Sequence, residues 1–573
     1  MFIHKKIGAL FIVFSLLLTA YSFSQEYRNS GFIKPMNLPF NLAGSFGEPR
    51  PDHFHSGIDI KTNGVEGEPV FAVYDGYISR IRVSPYGYGR AIYITHTNGF
   101  TSVYGHLSKF YGAIEKYIHT QHYTLKKSEL DLTLNAGIFP VKQNDTIAFS
   151  GNTGGSTAPH LHFEVRNTKN EHALNPLDFY PRSFYVDTIP PQINKVKVNI
   201  FSAGYFYNSF RKNYYNLPTK ERLNFSEPNY AIDYSNYYSF SLEGYDKQDN
   251  SENKNGINKI EVLQNDSLVF KYDLTEIDFD KTRMCNAFVD YTEMMNGSGY
   301  FYNCYQLKNN SLPIYMFGNG FFANGQIDSV AIYDIYCYDY NKNKTKIKFE
   351  IPKSNSITDY EFLNWKKDSI AITERFKNMT DSISLPGFQI RFTENTFYDD
   401  IYLTLSKRFI RDTAVYKIST DYNLIPLHKP AKIEFNSSIK KNRKKIVIVR
   451  QDNKGKETAL KTTFDKTKFY AETKELGSFY LKYDTTKPTI EIPNLKSQIP
   501  NLIIQAKISD ELSGINTYNG YVDNKWVNFY YDAKNDVILY NFDEYCTKGE
   551  HTLKIIVTDN VGNKNTITNK FNY

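Results

Sequence analysis

Short apolar runs alternate with polar positions along most of this chain, and Gly, Pro, Asn and Asp punctuate them. Near the N-terminal end, Val70-Phe71-Ala72-Val73, Tyr77-Ile78-Ser79-Arg80-Ile81 and Ala91-Ile92-Tyr93-Ile94 carry the residues and period of strands. The turn signals Asp75-Gly76, Tyr88-Gly89 and Asn98-Gly99 separate them. One stretch departs from this period. Between Lys109 and Leu134, Phe110, Ala113, Ile114 and Tyr117 fall on a helical stripe, which predicts a helical insertion in a β domain.

Beyond residue 186 the pattern predicts β modules, two of which share an outline. Asp187-Thr188-Ile189-Pro190-Pro191-Gln192-Ile193 and Asp484-Thr485-Thr486-Lys487-Pro488-Thr489-Ile490 repeat Asp, Thr, Pro and Ile at equal offsets. Each is followed by Gly-Ile-Asn, at Gly256-Ile257-Asn258 and Gly514-Ile515-Asn516, and by a final strand with an Asp/Asn-rich turn, after Tyr338 and after Thr558. This is an internal duplication. Regularly spaced strands with polar turns predict Ig-like β-sandwiches at 187–352 and 484–573, with a third β module of uncertain type at 353–483. The Lys440 to Lys445 cluster reads as an exposed turn.

Composition supports this picture and adds a compartment. At 573 residues the chain exceeds one core, and 47 Tyr and 42 Phe favour strands. A net charge of +7 from 68 Lys and Arg against 61 Asp and Glu is small for this length and points to a mixed surface, not to nucleic acid. Lys5 and Lys6, the apolar run Ile7 to Leu18 and Ser22-Phe23-Ser24 have the order of a secretory signal at 1–24. The expectation is an exported protein: periplasmic, in the cell envelope, or secreted. Of the four Cys, Cys285 and Cys304 fall in one module and are the pair best placed to bridge, with buried free thiols the alternative.

Twelve His occur, and nine lie between residues 53 and 172. They gather in His55-Ser56-Gly57-Ile58-Asp59, Tyr104-Gly105-His106-Leu107 and Pro159-His160-Leu161-His162-Phe163-Glu164-Val165. On a strand His160 and His162 project from one face, while Leu161 and Phe163 face a core. Two imidazoles and a carboxylate make a three-ligand site of the kind that leaves a position open for water, which favours a catalytic zinc over a closed structural one. Ligands drawn from His55, Asp59, His160 and His162 leave one His over, and His106 is also available. Imidazoles beside the metal supply proton transfer and oxyanion stabilisation. His53, His96, His119, His122 and His172 read individually as surface or satisfied core residues.

These residues, from about Leu42 to Val165, resemble the lysostaphin/LytM-type zinc metallopeptidases, which act as peptidoglycan endopeptidases. Gly44-Ser45-Phe46-Gly47, Gly67-Glu68-Pro69-Val70, Tyr88-Gly89, Asn98-Gly99-Phe100-Thr101 and Ser150-Gly151-Asn152-Thr153-Gly154 accompany the three His motifs in the family's order. The resemblance implies that His55, Asp59 and His162 bind Zn2+. It implies that His106 and His160 are the catalytic histidines, with the division of labour between them open. It also implies an antiparallel β peptidase domain with an open groove at 33–186, hydrolysing peptidoglycan peptides by metal-activated water. The chain departs from the family between His106 and Val141, where the insertion lies, and this leaves the substrate open. A non-catalytic wall-binding or activator protein and a zinc peptidase acting on exported proteins are the alternatives. The C-terminal modules are the expected contacts with cell-envelope partners.

Overall fold

The computed structural model describes residues 27, 30–202, 205–216, 223–224, 236–323, 330–352, 370–376, 379–420, 424–493, 495, 499 and 502–573. The expected signal segment at 1–24 lies outside the described residues. The chain is mostly β, and its sheets are almost wholly antiparallel. Among the described residues no helix is long and apolar enough to cross a membrane.

The N-terminal domain is organised by one sheet. Its strands are β1 (Leu42–Gly44), β2 (Ile58–Lys61), β3 (Gly76–Val83), β4 (Arg90–His96), β5 (Phe100–Gly105), β6 (Leu130–Thr133) and β7 (His160–Asn167). They run in the order β1-β2-β7-β5-β4-β3-β6. β7 is therefore internal, and its alternation is read out on two faces. Leu161, Phe163 and Val165 are fully buried in the hydrophobic core, while His162, Glu164 and Arg166 line the opposite face. Register sets His162 opposite Asp59 on β2 and Gly105 on β5. Gly57 permits the close approach of the strands: a Cβ there would sit 2.3 Å from the Phe163 carbonyl oxygen.

The insertion is helical, as the pattern predicts, but the stripe is shifted. Helix α1 spans Gly112–Leu125 and buries Ile114, Ile118 and His122. Phe110 belongs instead to the short strand Lys109–Phe110, paired with Ala148 and Phe149, and Ala113 faces solvent. Backbone pairing thus overrides the helical period at its first member.

Residues beyond 186 form paired sheets. Strands between 192 and 352 make a five- and a six-stranded sheet, those between 370 and 483 a six- and a five-stranded pair, and those after 488 two four-stranded sheets. The second and third pairs enclose separate cores. The first does not: one apolar cluster runs from Phe32 through Phe163 to Phe349. A short pairing of Ala173–Leu174 with Glu276–Ile277 stitches the N-terminal sheet to this region. The loop after Asp246 seals the joint, with Leu42 N donating to Gln248 Oε1 at 2.9 Å and Gln248 Nε2 donating to the Phe40 carbonyl at 2.7 Å.

The C-terminal sheets fold back onto the insertion. Tyr123 of α1 stacks on Tyr545 with ring centroids 4.0 Å apart, and its hydroxyl donates to Asp543. Lys534 Nζ donates to the carbonyls of Asn152 and Ser156 in the loop that precedes β7. Cys285, Cys304, Cys337 and Cys546 are all buried free thiols, so the bridge between Cys285 and Cys304 does not form. Cys285 Sγ instead donates to the Arg50 carbonyl at 3.4 Å.

Candidate active site and metal centre

Three of the expected residues converge on one point. His55 Nε2 and His162 Nδ1 lie 3.0 and 2.9 Å from Asp59 Oδ1, and 3.0 Å from each other. Each ring has its other nitrogen committed. His55 Nδ1 donates to the Ser45 carbonyl at 2.7 Å, and His162 Nε2 donates to Glu164 Oε1 at 2.8 Å. That arrangement leaves a lone pair from each imidazole, and Asp59 Oδ1, directed at a shared centre, with ring orientation fixed from behind. The donor set of two imidazoles and a carboxylate fits a divalent transition metal such as zinc. Arg50 Nη2 holds Asp59 Oδ2 at 2.6 Å, which leaves Oδ1 to the centre.

The remaining two expected residues stand beside this group. His160 Nδ1 donates to the Ala158 carbonyl at 2.8 Å, and its Nε2, 3.3 Å from Asp59 Oδ1, is buried without a hydrogen-bond partner. His106 directly follows β5 and takes the left-handed conformation, with φ 59°. Its Nδ1 donates to the Thr153 carbonyl at 2.8 Å, and its ring centre is 4.8 Å from that of His160. The structure therefore brings together all five residues, His55, Asp59, His106, His160 and His162.

Burial and charge divide the imidazoles. Burial, partly offset by Asp59, pushes His55 down to about 4. Burial, aided by the nearby His162 and His160, pushes His106 down to about 3. His162 goes the other way: burial would lower it, but hydrogen bonds to Asp59 and Glu164 and their charges outweigh that and raise it to about 9. Asp59 and Glu164 resist burial because His55 and Arg166, respectively, head the opposing interactions, and both carboxyls are held well below the usual range.

Glu164 is the residue the motif reading passed over. It is fully buried; its Oε1 accepts from His162, Tyr88 and Ser56, and its Oε2 from Arg166 Nε at 2.7 Å. The signal was available: two residues beyond His162 on a strand, Glu164 shares the ligand face. Arg50 gave no comparable signal, because a turn separates it from Asp59. The other histidines stay apart. His96 is a core residue whose Nε2 pairs with Ser102 Oγ at 2.7 Å, His122 Nδ1 bonds the Lys127 carbonyl at 2.7 Å, and His119 faces Asp543 and Glu544. His53 is exposed, and His172 lies beside Glu276 and Asp278.

Asp59 and His162 on the sheet and His55 on the loop before it present two imidazoles and a carboxylate to one centre, with two more imidazoles alongside, an arrangement able to hold a metal ion and to move protons beside it. Residues 53–123 and 131–176 match Peptidase family M23, and the gap between them falls at the end of α1. The likeness to this family is confined to this part of the chain. Residues 373–484 match a Zu5-like domain. Over 123 residues the chain is 34% identical to an uncharacterized metalloprotease of Haemophilus influenzae, covering 22% of this chain and 20% of that protein. It is also 34% identical over 123 residues to the DD-carboxypeptidase/endopeptidase Mpg of Neisseria meningitidis, covering 22% of each. The chain thus spans about a fifth of the length of these relatives, 20% and 22%. Among solved structures, the catalytic domain of lysostaphin from Staphylococcus simulans is similar at 28% identity, covering 24% of this chain and 87% of that one, with a TM-score of 0.18.

Proposed function

We propose that this chain is an exported, zinc-dependent endopeptidase that hydrolyses peptide bonds in the stems or cross-links of peptidoglycan. The observation that carries this reading is the convergence of His55 Nε2, Asp59 Oδ1 and His162 Nδ1 within 3.0 Å of one another, each ring being oriented by a separate acceptor. When bound there, zinc supplies a Lewis acid that lowers the pKa of water to about 7 and polarises a carbonyl.

The protein's own groups handle the protons. His106 and His160 each have Nδ1–H anchored on a backbone carbonyl, so in each neutral ring the free lone pair is on Nε2. His106, kept neutral by burial, presents a lone pair that accepts the proton of the attacking water. An imidazole protonated in this way donates to the developing oxyanion or to the leaving amine. The rings are bordered by the loop from Gly151 to Pro159, which Lys534 ties to the C-terminal sheets. Peptidoglycan as substrate is supported by the relatives named as endopeptidases and by the secretory pattern of the first residues. We assign the C-terminal modules to contacts with the cell envelope, with no nucleic-acid partner.

The test is direct. The purified full chain is analysed for metal and incubated with purified peptidoglycan, and the released fragments are sequenced by mass spectrometry. About one zinc per active site and new peptide termini are expected. A metal-free chain inert toward peptidoglycan overturns the reading, and cleavage confined to protein substrates moves it to the exported-protein alternative.

A further inference from the structure

A second kind of ligand cluster occurs away from the peptidase site, and it occurs twice. Asp187, Asp246 and Asp339 each bring an oxygen within 4.8 Å of the others where the chain leaves the peptidase domain. They are 5%, 2% and 3% exposed. Among the described residues no Lys, Arg or His forms an ion pair with any of them, so three carboxyl groups share one buried volume. Such a cluster repels itself unless a positive charge enters it. Burial, then the charges of Asp187 and Asp339, push Asp246 up to about 9.

The surroundings hold the carboxylates in place. Ile189 N donates to Asp187 Oδ1 at 3.1 Å. Asn343 donates from its backbone to Asp339 Oδ1 at 2.8 Å and from its side chain to Asp339 Oδ2 at 2.7 Å. Asp246 Oδ1, by contrast, is buried with no hydrogen-bond partner. Asn255, which exchanges two backbone hydrogen bonds with Asp246, is 3% exposed and has both amide atoms unpaired. Asn341 places Nδ2 on the Asp187 carbonyl at 3.1 Å and leaves Oδ1 unpaired.

Asp484, Asp510 and Asp559 repeat the arrangement within 4.8 Å in the C-terminal module. Asn563 bonds Asp559 Oδ1 and Oδ2, both at 2.7 Å, and the Asp484 carbonyl at 3.2 Å. Asn343 makes the same three contacts in the first module, the last to the Asp187 carbonyl at 3.0 Å. Asp510 Oδ1 is again buried without a partner.

We propose that each aspartate triad is a calcium site, one at the junction of the peptidase domain with the first β module and one at the start of the C-terminal module. The donors are oxygens only, without imidazole or thiolate, which selects a hard cation. Calcium accepts irregular sets of carboxylate and carbonyl oxygens, whereas magnesium holds out for an octahedron with several waters. The first site has a structural consequence. Loop residues Gln248, Ser251 and Gly256 bond Phe40, Leu42 and Ser45, and the Ser45 carbonyl accepts from His55. An ion on Asp246 therefore anchors the loop that braces a ligand of the peptidase centre.

The test uses the zinc-loaded full chain, dialysed into calcium-free buffer, with calcium chloride as titrant, radiolabelled calcium for stoichiometry and thermal melting in parallel. Two calcium ions per chain are expected, falling to one in Asp246→Asn, one in Asp510→Asn and none in the double variant. Calcium is expected to raise the melting temperature, and equimolar magnesium is not. No calcium uptake at millimolar concentration, or two ions retained by the double variant, overturns the proposal and leaves the triads as proton-sharing carboxyl groups. Should Asp246→Asn fail to fold, the wild-type stoichiometry and Asp510→Asn, in a separate module, still decide. Zinc content and hydrolysis are read separately, so failure here leaves the peptidase reading standing.

Discussion

Replacing Glu164 by Gln tests how far the metal centre depends on a residue that does not belong to it. Glu164 is buried, and its two oxygens face two sets of donors: His162, Tyr88 and Ser56 on Oε1, and Arg166 on Oε2. A glutamine offers one oxygen and one NH2, so either flip sets two donors against each other. If the amide oxygen faces Arg166, the NH2 meets His162 Nε2, and relief requires the proton to move to Nδ1. That nitrogen is the one aimed at Asp59 and the centre, and a protonated nitrogen cannot bind metal. If the amide is reversed, Arg166 loses its buried partner. Loss of an orienting carboxylate behind a ligand histidine lowers metal affinity about 10- to 100-fold. Breaking a buried ion pair costs about 3–5 kcal/mol. The lower end applies here, because Arg166 keeps Glu171 at 3.4 Å and the Phe279 ring at 4.2 Å. Chelator competition gives the affinity, and denaturant unfolding of the metal-free protein gives the stability. Zinc affinity within twofold of wild type, with unchanged stability, would refute the orienting role.

The other predictions address the five site residues and their surroundings. His162→Ala is expected to lose both bound metal and activity, and hydrolysis by this variant would remove it from the ligand set. His106→Ala is expected to retain zinc while kcat falls by about 10²–10⁴; unchanged turnover would exclude it from proton transfer. Lys534→Ala frees the carbonyls of Asn152 and Ser156 in the same loop whose Thr153 and Ala158 carbonyls orient His106 and His160, so kcat/KM should drop by about threefold to tenfold. Equal kinetics would show that the C-terminal module merely rests there. In the metal-free protein His162 titrates near 9, against about 6.5 when unfolded, so its contribution to stability is full below pH 6.5 and disappears as pH rises through 9. His55 and His106, pushed down, act oppositely and cost stability as pH falls below about 6.5. Metal must displace the His162 proton, so zinc affinity should rise about tenfold per pH unit between pH 7 and about 9, and a flat profile would contradict this.

Local spacing carried most of the site. The two-residue period of His160-Leu161-His162-Phe163 places imidazoles on one face and core residues on the other, and β7 does the same. Spacing left open which three of His55, Asp59, His160 and His162 form the ligand group. Strand pairing adds what spacing lacks: register sets Asp59 beside His162, while the Ala158 carbonyl holds His160 by its Nδ1. What the pattern did not disclose depends on contacts distant in sequence. Arg50 reaches Asp59 through a turn, Tyr123 meets Tyr545 across more than four hundred residues, and one core joins the peptidase sheet to the module after it. None of these leaves a periodic trace. The duplicated Asp187 and Asp484 are an intermediate case. Their recurrence is visible in the sequence as a module boundary, but only folding brings Asp246 and Asp339, or Asp510 and Asp559, to the same point. Repeats that hydrophobic patterning assigns to architecture can therefore hold chemistry at their seams. Here the first seam is continuous through Ser45 with the bond that orients His55, so the first β module braces the candidate metal centre.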